Sequence, residues 1–319
     1  MKIVVLDGYT LNPGDISWSA LEALGELTVY ERTPADKTLE RIGDAEIVLT
    51  NKTRLTADVF DTLRGIKYVG VLATGFDVVD VTAAKQYGIP VCNVPGYATD
   101  AVAEMVFALL LELCRHTGAH AEAVKDGEWT ASPDFCFWKH PMSELGGRKM
   151  GIVGLGRTGQ KTAAIAQAFG MKVLAVSGSR PLPESNSLRY VTTDELLESS
   201  DVISLHCPLT EATKNLINRD TISRMKHGVM LINIARGGLI DEQALADALN
   251  SGKVAGAAVD VVSAEPIKAD NPLLAARNII ITPHIAWAAR ASRERLMEQT
   301  AKNVAAFLSG QPVNVVNGV

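Results

Sequence analysis

The chain has 319 residues, 47% of them hydrophobic and 21% charged, with a formal net charge of −5. This is the composition of a soluble globular protein with room for about two domains. A net negative chain argues against a nucleic-acid binder, which needs a basic face. No apolar run approaches the roughly 18–20 residues of a membrane span. The four cysteines, Cys92, Cys114, Cys136 and Cys207, form no CxxC pair for metal or redox chemistry. Reduced thiols, no metal and a cytoplasmic location are therefore expected.

The opening KIVVLD has only four apolar residues before Asp7, too few for a signal-peptide core, and reads as a buried first strand. A segment from Ile16 to Leu24 is compatible with a helix. AEIVLT (Ala45–Thr50), IKYVGVLA (Ile66–Ala73) and IPVCNV (Ile89–Val94) read as further strands. Runs this apolar suit strands buried on both faces, hence a parallel sheet.

Thr99 begins a long helical stretch, TDAVAEMVFALLLELCRHTG, with Thr99 as N-cap, Asp100 in the first turn and Gly118 as the stop. Its apolar residues cover most of its circumference, so it is expected to be buried, in part by a second subunit. From Lys149 a second series follows: KMGIVG, KVLAVS, DVISLH, VMLINIA, AGAAVDVV and NIIITP. Six buried strands separated by helical stretches indicate a doubly wound sheet. A last helical segment, about Ala288 to Leu308, is expected to pack back on the first domain. The expected division is 1–97 plus 288–319 as a small domain and 98–287 as a larger one. There is no internal repeat and no low-complexity tract.

GLGRTG (Gly154–Gly159) follows the strand MGIV and precedes a helix-compatible stretch, Gln160 to Phe169, which Gly170 ends before the strand MKVLAV. That strand–turn–helix–strand context is what a dinucleotide fingerprint needs. Gly154 permits the tight turn, Gly156 lets backbone approach a pyrophosphate, and Gly159 allows close helix–strand packing. The helix N-terminus offers N–H groups to the phosphates. An acidic residue is expected about twenty residues further on, to hold the ribose of NAD. The chain has none between Gln160 and Pro183, and presents VSGSR (Val176–Arg180) there.

Ligands in open α/β sheets bind outside the carboxyl ends of the strands. Arg236 follows VMLINIA, Glu265 follows AAVDVV in SAEP, and His284 follows NIIITP. A cation, an acid and an imidazole on one sheet edge suit the reduction of a keto acid.

The segments NVPGYATDAVAEMVFALLLEL, GIVGLGRTGQ, INIARGGLIDEQAL, AAVDVVSAEP and ITPHIAW together resemble the D-isomer-specific 2-hydroxyacid dehydrogenases. SPDFCFWKHPMSELGGRKMGIVGLGRTGQ and the ending resemble their glycerate dehydrogenase, or hydroxypyruvate reductase, branch. The likeness covers essentially the whole chain. It implies an α/β fold of two doubly wound parallel-sheet domains, a Rossmann-type cofactor domain and a smaller flavodoxin-like substrate domain. It implies hydride transfer between nicotinamide and substrate C2, His284 as general acid, Glu265 orienting the imidazole, and Arg236 gripping the substrate carboxylate with its fork of donors.

For the cofactor the resemblance implies Thr99, Gly154, Gly156, Arg157, Thr158, Gly159, Cys207, Pro208, Thr213, Ala235 and Asp260, the last orienting the carboxamide. For the substrate it implies the loop LATGFDVVD, with backbone N–H groups near Ala73, Thr74 and Gly75. Lys52, in the NKT that follows another strand, is a further candidate. Trp138, in an arm around Phe137 and Lys139, either closes a pocket or packs on a partner in a homodimer. A cleft that closes over substrate is expected, with hinges near Pro95–Thr99 and Trp287–Arg290. Hydroxypyruvate is the first substrate choice and glyoxylate the second.

In NAD-specific relatives an Asp at the position of Ser177 would repel a 2′-phosphate. Ser177 and Ser179 can donate hydrogen bonds instead, and Arg180 supplies a cation, so NADP(H) is favoured over NAD(H). Phosphoglycerate dehydrogenases share the motifs, but many carry a C-terminal regulatory domain for which the ending PVNVVNGV leaves no room. D-lactate, formate and phosphite dehydrogenases rank lower on FCFWKHP and HIAWA. A nucleotide-sensing co-repressor on the same scaffold is the alternative from another class.

Overall fold

A computed structural model describes residues 1–176, 184–185 and 187–319. Ser177, Ser179 and Arg180 lie outside the described residues. The chain divides into two compact units, Met1–Ala98 with Trp287–Val319, and Thr99–Ala286.

The smaller unit holds five strands: β1 (Lys2–Val5), β2 (Glu26–Val29), β3 (Ile47–Thr50), β4 (Tyr68–Val71) and β5 (Val91–Cys92). They form an all-parallel sheet in the order β2-β1-β3-β4-β5, the flavodoxin-like order. Alternate side chains serve opposite faces. Val4, Val48 and Val69 pack toward helices α2 (Thr38–Ile42), α3 (Ala57–Thr62) and α4 (Val81–Gln86), by way of Ile42, Phe60 and Ala84. Ile3, Val5, Ile47 and Leu49 pack toward α1 (Ser19–Glu22) and the C-terminal helix Arg290–Leu308, by way of Leu21, Leu296 and Val304. The Ile16–Leu24 stretch therefore contributes a single helical turn. The C-terminal helix belongs to the first unit.

Strand β2 escaped the sequence reading for a physical reason. It is an edge strand, paired among the described residues with β1 alone, and its residues are exposed or half-buried. It therefore has no apolar run to announce it.

Among the described residues the larger unit has seven strands: β6 (Lys149–Val153), β7 (Lys172–Ala175), β8 (Leu188–Tyr190), β9 (Val202–Leu205), β10 (Val229–Asn233), β11 (Val254–Val259) and β12 (Ile279–Ile281). All pair in parallel, in the order β12-β11-β10-β9-β6-β7-β8. Counted from β6, this is the doubly wound Rossmann order with one further strand. The edge strand β8 has only three residues, of which Leu188 alone is buried, so it too lacks an apolar run.

Helices α5 (Thr99–Arg115) and α7 (Arg157–Ala168) cover one face through Val106, Leu110 and Ala163. Helices α8 (Thr193–Ser199), α9 (Arg219–Arg224) and α10 (Glu242–Ser251) cover the other through Leu196, Ile222 and Leu245.

Two expectations about α5 are corrected. Thr99 is its first helical residue rather than a cap. The helix ends at Arg115, where His116 takes a left-handed conformation (φ 51°), and Gly118 lies inside the next helix, α6 (Thr117–Lys125). The break has a polar lock: Glu112 accepts from the Thr117 hydroxyl at 2.6 Å and from Gly118 N–H at 3.3 Å. No helix among the described residues is long and apolar enough to cross a membrane.

Candidate active site

The glycine loop sits where β6 feeds α7, at the point where strand order reverses between β7 and β9. Gly154 has φ +99°, and a Cβ there would stand 2.7 Å from the Cys207 backbone nitrogen. A side chain is thus excluded both by conformation and by the close approach of the chain leaving β9. A Cβ on Gly159 would meet the Gly154 carbonyl oxygen at 2.2 Å, so α7 can close onto β6 only with glycine there. Gly156 caps α7, and nothing lies within 4 Å of where its Cβ would be. This open space in front of backbone N–H groups fits a pyrophosphate. Arg157 and Thr158 form the first turn of α7.

The chain leaving β9 forms the other rim. Thr213 closes its turn, its hydroxyl donating to Pro208 O at 2.7 Å and accepting from Thr210 N at 2.8 Å. Burial pushes the Cys207 thiol up, so it stays protonated. Next to it His206 is half-buried, and desolvation holds its imidazole down to about 4. Its Nε2 pairs with the Ser204 hydroxyl at 2.8 Å, while Nδ1 has no partner among the described residues.

Arg236, Glu265 and His284 stand on loops that leave β10, β11 and β12. His284 Nδ1 lies 2.7 Å from Glu265 Oε2. The carboxylate fixes Nδ1 as the protonated ring atom and sets the direction of the ring. His284 has φ 55°, a conformation that costs a non-glycine residue energy unless its surroundings hold it. Asp260, at the end of β11 and 1% exposed, provides the hold. Its carboxylate accepts from the Thr282 hydroxyl at 2.6 Å, from Ile285 N at 2.9 Å and from Ala286 N at 2.8 Å. Its carbonyl accepts from His284 N at 2.8 Å.

Three further organisers were not singled out from the sequence. Asn233, 1% exposed at the end of β10, donates to Arg236 O at 2.8 Å and accepts from Ala235 N at 3.1 Å. Glu242 accepts from Ser263 N at 2.7 Å and so anchors the loop carrying Glu265. Thr282 is the third. Asn in VMLINIA was a visible signal: one polar residue inside an apolar strand must find buried partners. Gly237 lets the Arg236 loop touch the Glu265 loop, since a Cβ there would fall 1.9 Å from the Val262 carbonyl carbon.

Within the smaller unit, Lys52 and residues 73–75 follow the carboxyl ends of β3 and β4. Asn51 Nδ2 donates to Leu72 O at 2.6 Å, and Asn93 Nδ2 donates to Thr74 O at 2.7 Å. The Thr74 hydroxyl donates to Val94 O at 3.0 Å. It is committed to the fold, and the backbone of Ala73, Thr74 and Gly75 is what remains for an anion.

Trp138 is 66% exposed and Phe135 is 90% exposed, on a stretch that also bares Trp129. No group of three or more His, Cys, Asp or Glu side chains among the described residues can hold a metal.

Fold and site define a dinucleotide-binding α/β protein with an imidazole–carboxylate pair and an arginine on one sheet edge. The family model for the NAD-binding domain of D-isomer-specific 2-hydroxyacid dehydrogenases matches residues 107–286. A hydroxypyruvate reductase of Blautia hydrogenotrophica is 57% identical over 99% of this chain and 100% of its own length. A glycerate dehydrogenase of Methylorubrum extorquens is 41% identical over 99% of this chain and 98% of its own. Among solved structures, an acyclic imino acid reductase in complex with NADPH and D-Arg matches with a TM-score of 0.86 at 32% identity, covering 99% of this chain and 100% of its own. The chain belongs to the D-isomer-specific 2-hydroxyacid dehydrogenase family. Its reaction class is the reduction of a 2-keto acid to a D-2-hydroxy acid with a nicotinamide cofactor.

Proposed function

We propose that this enzyme reduces hydroxypyruvate to D-glycerate, with glyoxylate as a second substrate, and that it prefers NADPH. The observation that carries the choice of acid is the full-length likeness to the Blautia hydroxypyruvate reductase. The fit of the glycine loop supports cofactor binding by Gly154, Gly156, Arg157, Thr158 and Gly159, with Thr99, Cys207, Pro208, Thr213, Ala235 and Asp260 around it. The cofactor, when bound, supplies the hydride.

The chain supplies the proton and the grip. His284 delivers a proton from Nε2 to the substrate oxygen, while Glu265 accepts from Nδ1 and orients the ring. Arg236 binds the substrate carboxylate and polarises the keto oxygen. The backbone N–H groups of Ala73, Thr74 and Gly75 take the carboxylate, helped by Lys52. Trp138 bounds the pocket or the subunit contact.

NADPH preference is supported by the lack of any acid from Gln160 to Pro183 and by the hydroxyls and cation of Ser177, Ser179 and Arg180. The likeness to a reductase bound to NADPH adds to it. Steady-state rates with NADPH and NADH against a panel of 2-keto acids test both parts. The highest kcat/KM is expected for hydroxypyruvate with NADPH. Equal or better use of NADH overturns the cofactor choice, and Ser177→Asp with Arg180→Ala is expected to shift use toward NADH.

A homodimer is supported by the exposed Trp129, Phe135 and Trp138 and by the half-buried Leu111 and Leu113 of α5. Sedimentation equilibrium showing a monomer at micromolar concentration would remove it. A cytoplasmic location is the reading that the four free cysteines support.

A further inference from the structure

We propose that Asp7 is a positioning residue for substrate binding, acting through Lys52 and its loop. The inference rests on the reading of Lys52 as a substrate residue.

Asp7 ends the first strand run, beside the point where β2 and β3 lie on opposite sides of β1. Its two carboxylate oxygens collect three successive backbone N–H groups from the loop after β3. Asn51 N donates to Oδ1 at 2.7 Å, and Thr53 N donates to Oδ2 at 2.7 Å, as does Lys52 N. Successive N–H groups turned to one point form a concave site for an anion, and here the chain fills that site with its own carboxylate. The Thr50 hydroxyl closes the loop on Thr53 O at 2.8 Å.

The consequence is a defined outward side chain. Asn51 and Thr53 are 5% and 8% exposed and turn inward, while Lys52 between them is exposed. The same turn aims the Asn51 amide at Leu72 O, at the start of the 73–75 loop. One carboxylate thus sets the direction of Lys52 and one anchor of the second candidate loop.

A negative charge near an anion-binding edge is a cost that a merely space-filling residue would avoid. Only a carboxylate can accept all three bonds. An asparagine offers one oxygen, and its NH2 would oppose the N–H of Lys52 and Thr53. Charge-assisted bonds of this kind are about twice as strong as neutral ones, which suits the orienting of a long, flexible lysine.

The test uses the full-length enzyme and whichever keto acid it turns over best. Asp7→Asn and Asp7→Ser are expected to raise KM for the keto acid at least tenfold, with kcat within about threefold and cofactor Kd within twofold. Lys52→Met is expected to raise the same KM. Adding Asp7→Asn to Lys52→Met should raise it by much less than Asp7→Asn does alone. Amide exchange on the unaltered enzyme needs no variant, and slow exchange at Asn51, Lys52 and Thr53 is expected.

A fall in kcat and thermal stability at unchanged KM would show Asp7 to be structural only and overturn the proposal. So would an equal KM increase in the Lys52→Met background, or fast exchange at the three amides. An unchanged KM in Lys52→Met removes Lys52 from the substrate site and the proposal with it. A raised KM there, with Asp7→Asn unchanged, overturns the positioning role alone.

Discussion

His284 and Asp260 show how much of this site is decided by single hydrogen bonds. With the Nδ1–Glu265 pair at 2.7 Å, the imidazole has the geometry of the proton carrier proposed above, and loss of general acid catalysis costs roughly 10²–10⁴-fold. His284→Ala is expected to lower kcat within that range, and single-turnover rates near the unaltered value would remove the role. Arg236→Lys keeps the charge and loses the fork. A rise in KM together with a fall in kcat is expected, of about tenfold or more in kcat/KM. Asp260→Asn replaces an acceptor by an NH2 that opposes Ala286 N or Ile285 N. Hydrogen bonds to a charged group are worth about 1.5–3 kcal/mol. If the strained His284 backbone relaxes by that amount, kcat falls about 10- to 100-fold, and unchanged kcat would show that Asp260 does not hold the imidazole.

At the scale of elements, the site is a property of the loops that leave β10, β11 and β12, and those loops are locked to each other. Gly237→Ala tests the lock. The added methyl would overlap Val262 backbone, which cannot step aside as a side-chain tip can. Overpacking of this kind costs about 1–3 kcal/mol. A lower urea midpoint is expected, together with a loss of kcat/KM larger than the stability change explains, because the Arg236 and Glu265 loops separate. An alanine variant with native kcat/KM would show that the two loops do not need this contact. The elements that escaped the sequence reading are as informative. Strands β2 and β8 are edges, and an edge strand pairs on one side and needs few apolar side chains. The end of α5 was misplaced because glycine is the usual stop, whereas here His116 turns the chain and Glu112 caps the next helix.

At the scale of the whole molecule, acid sensitivity follows from His206. Its imidazole is held at about 4 in the fold, against about 6.5 in an unfolded chain. Above pH 6.5 both states are neutral and the residue contributes no pH dependence. Between 6.5 and about 4 only the unfolded state takes the proton, so stability falls as pH falls and levels off below. The full span is on the order of 3 kcal/mol. His116 adds the same sign, its imidazole being pushed down by burial and then by the nearby His140. Urea unfolding at pH 7.5 and pH 5 is expected to show the loss, and His206→Asn to flatten it. An unflattened slope would place the acid sensitivity elsewhere.

Sequence alone carried the class of fold, the βαβ unit around GLGRTG and the three strand-end residues. These signals are local: apolar runs, glycine spacing, and reactive residues directly after a strand. It also carried the absent acid near Ser177, the clue to cofactor choice. Only the tertiary structure decided that β6 and β9 lie side by side, so that Gly154 must be glycine because of Cys207, 53 residues away in the chain. Only it paired Asp260 with the His284 loop, Asn233 with Arg236, and Asp7 with Asn51, Lys52 and Thr53. The physical reason is the same in each case. A buried polar group must be satisfied by partners that the fold brings near, and chain distance carries no information about which these are.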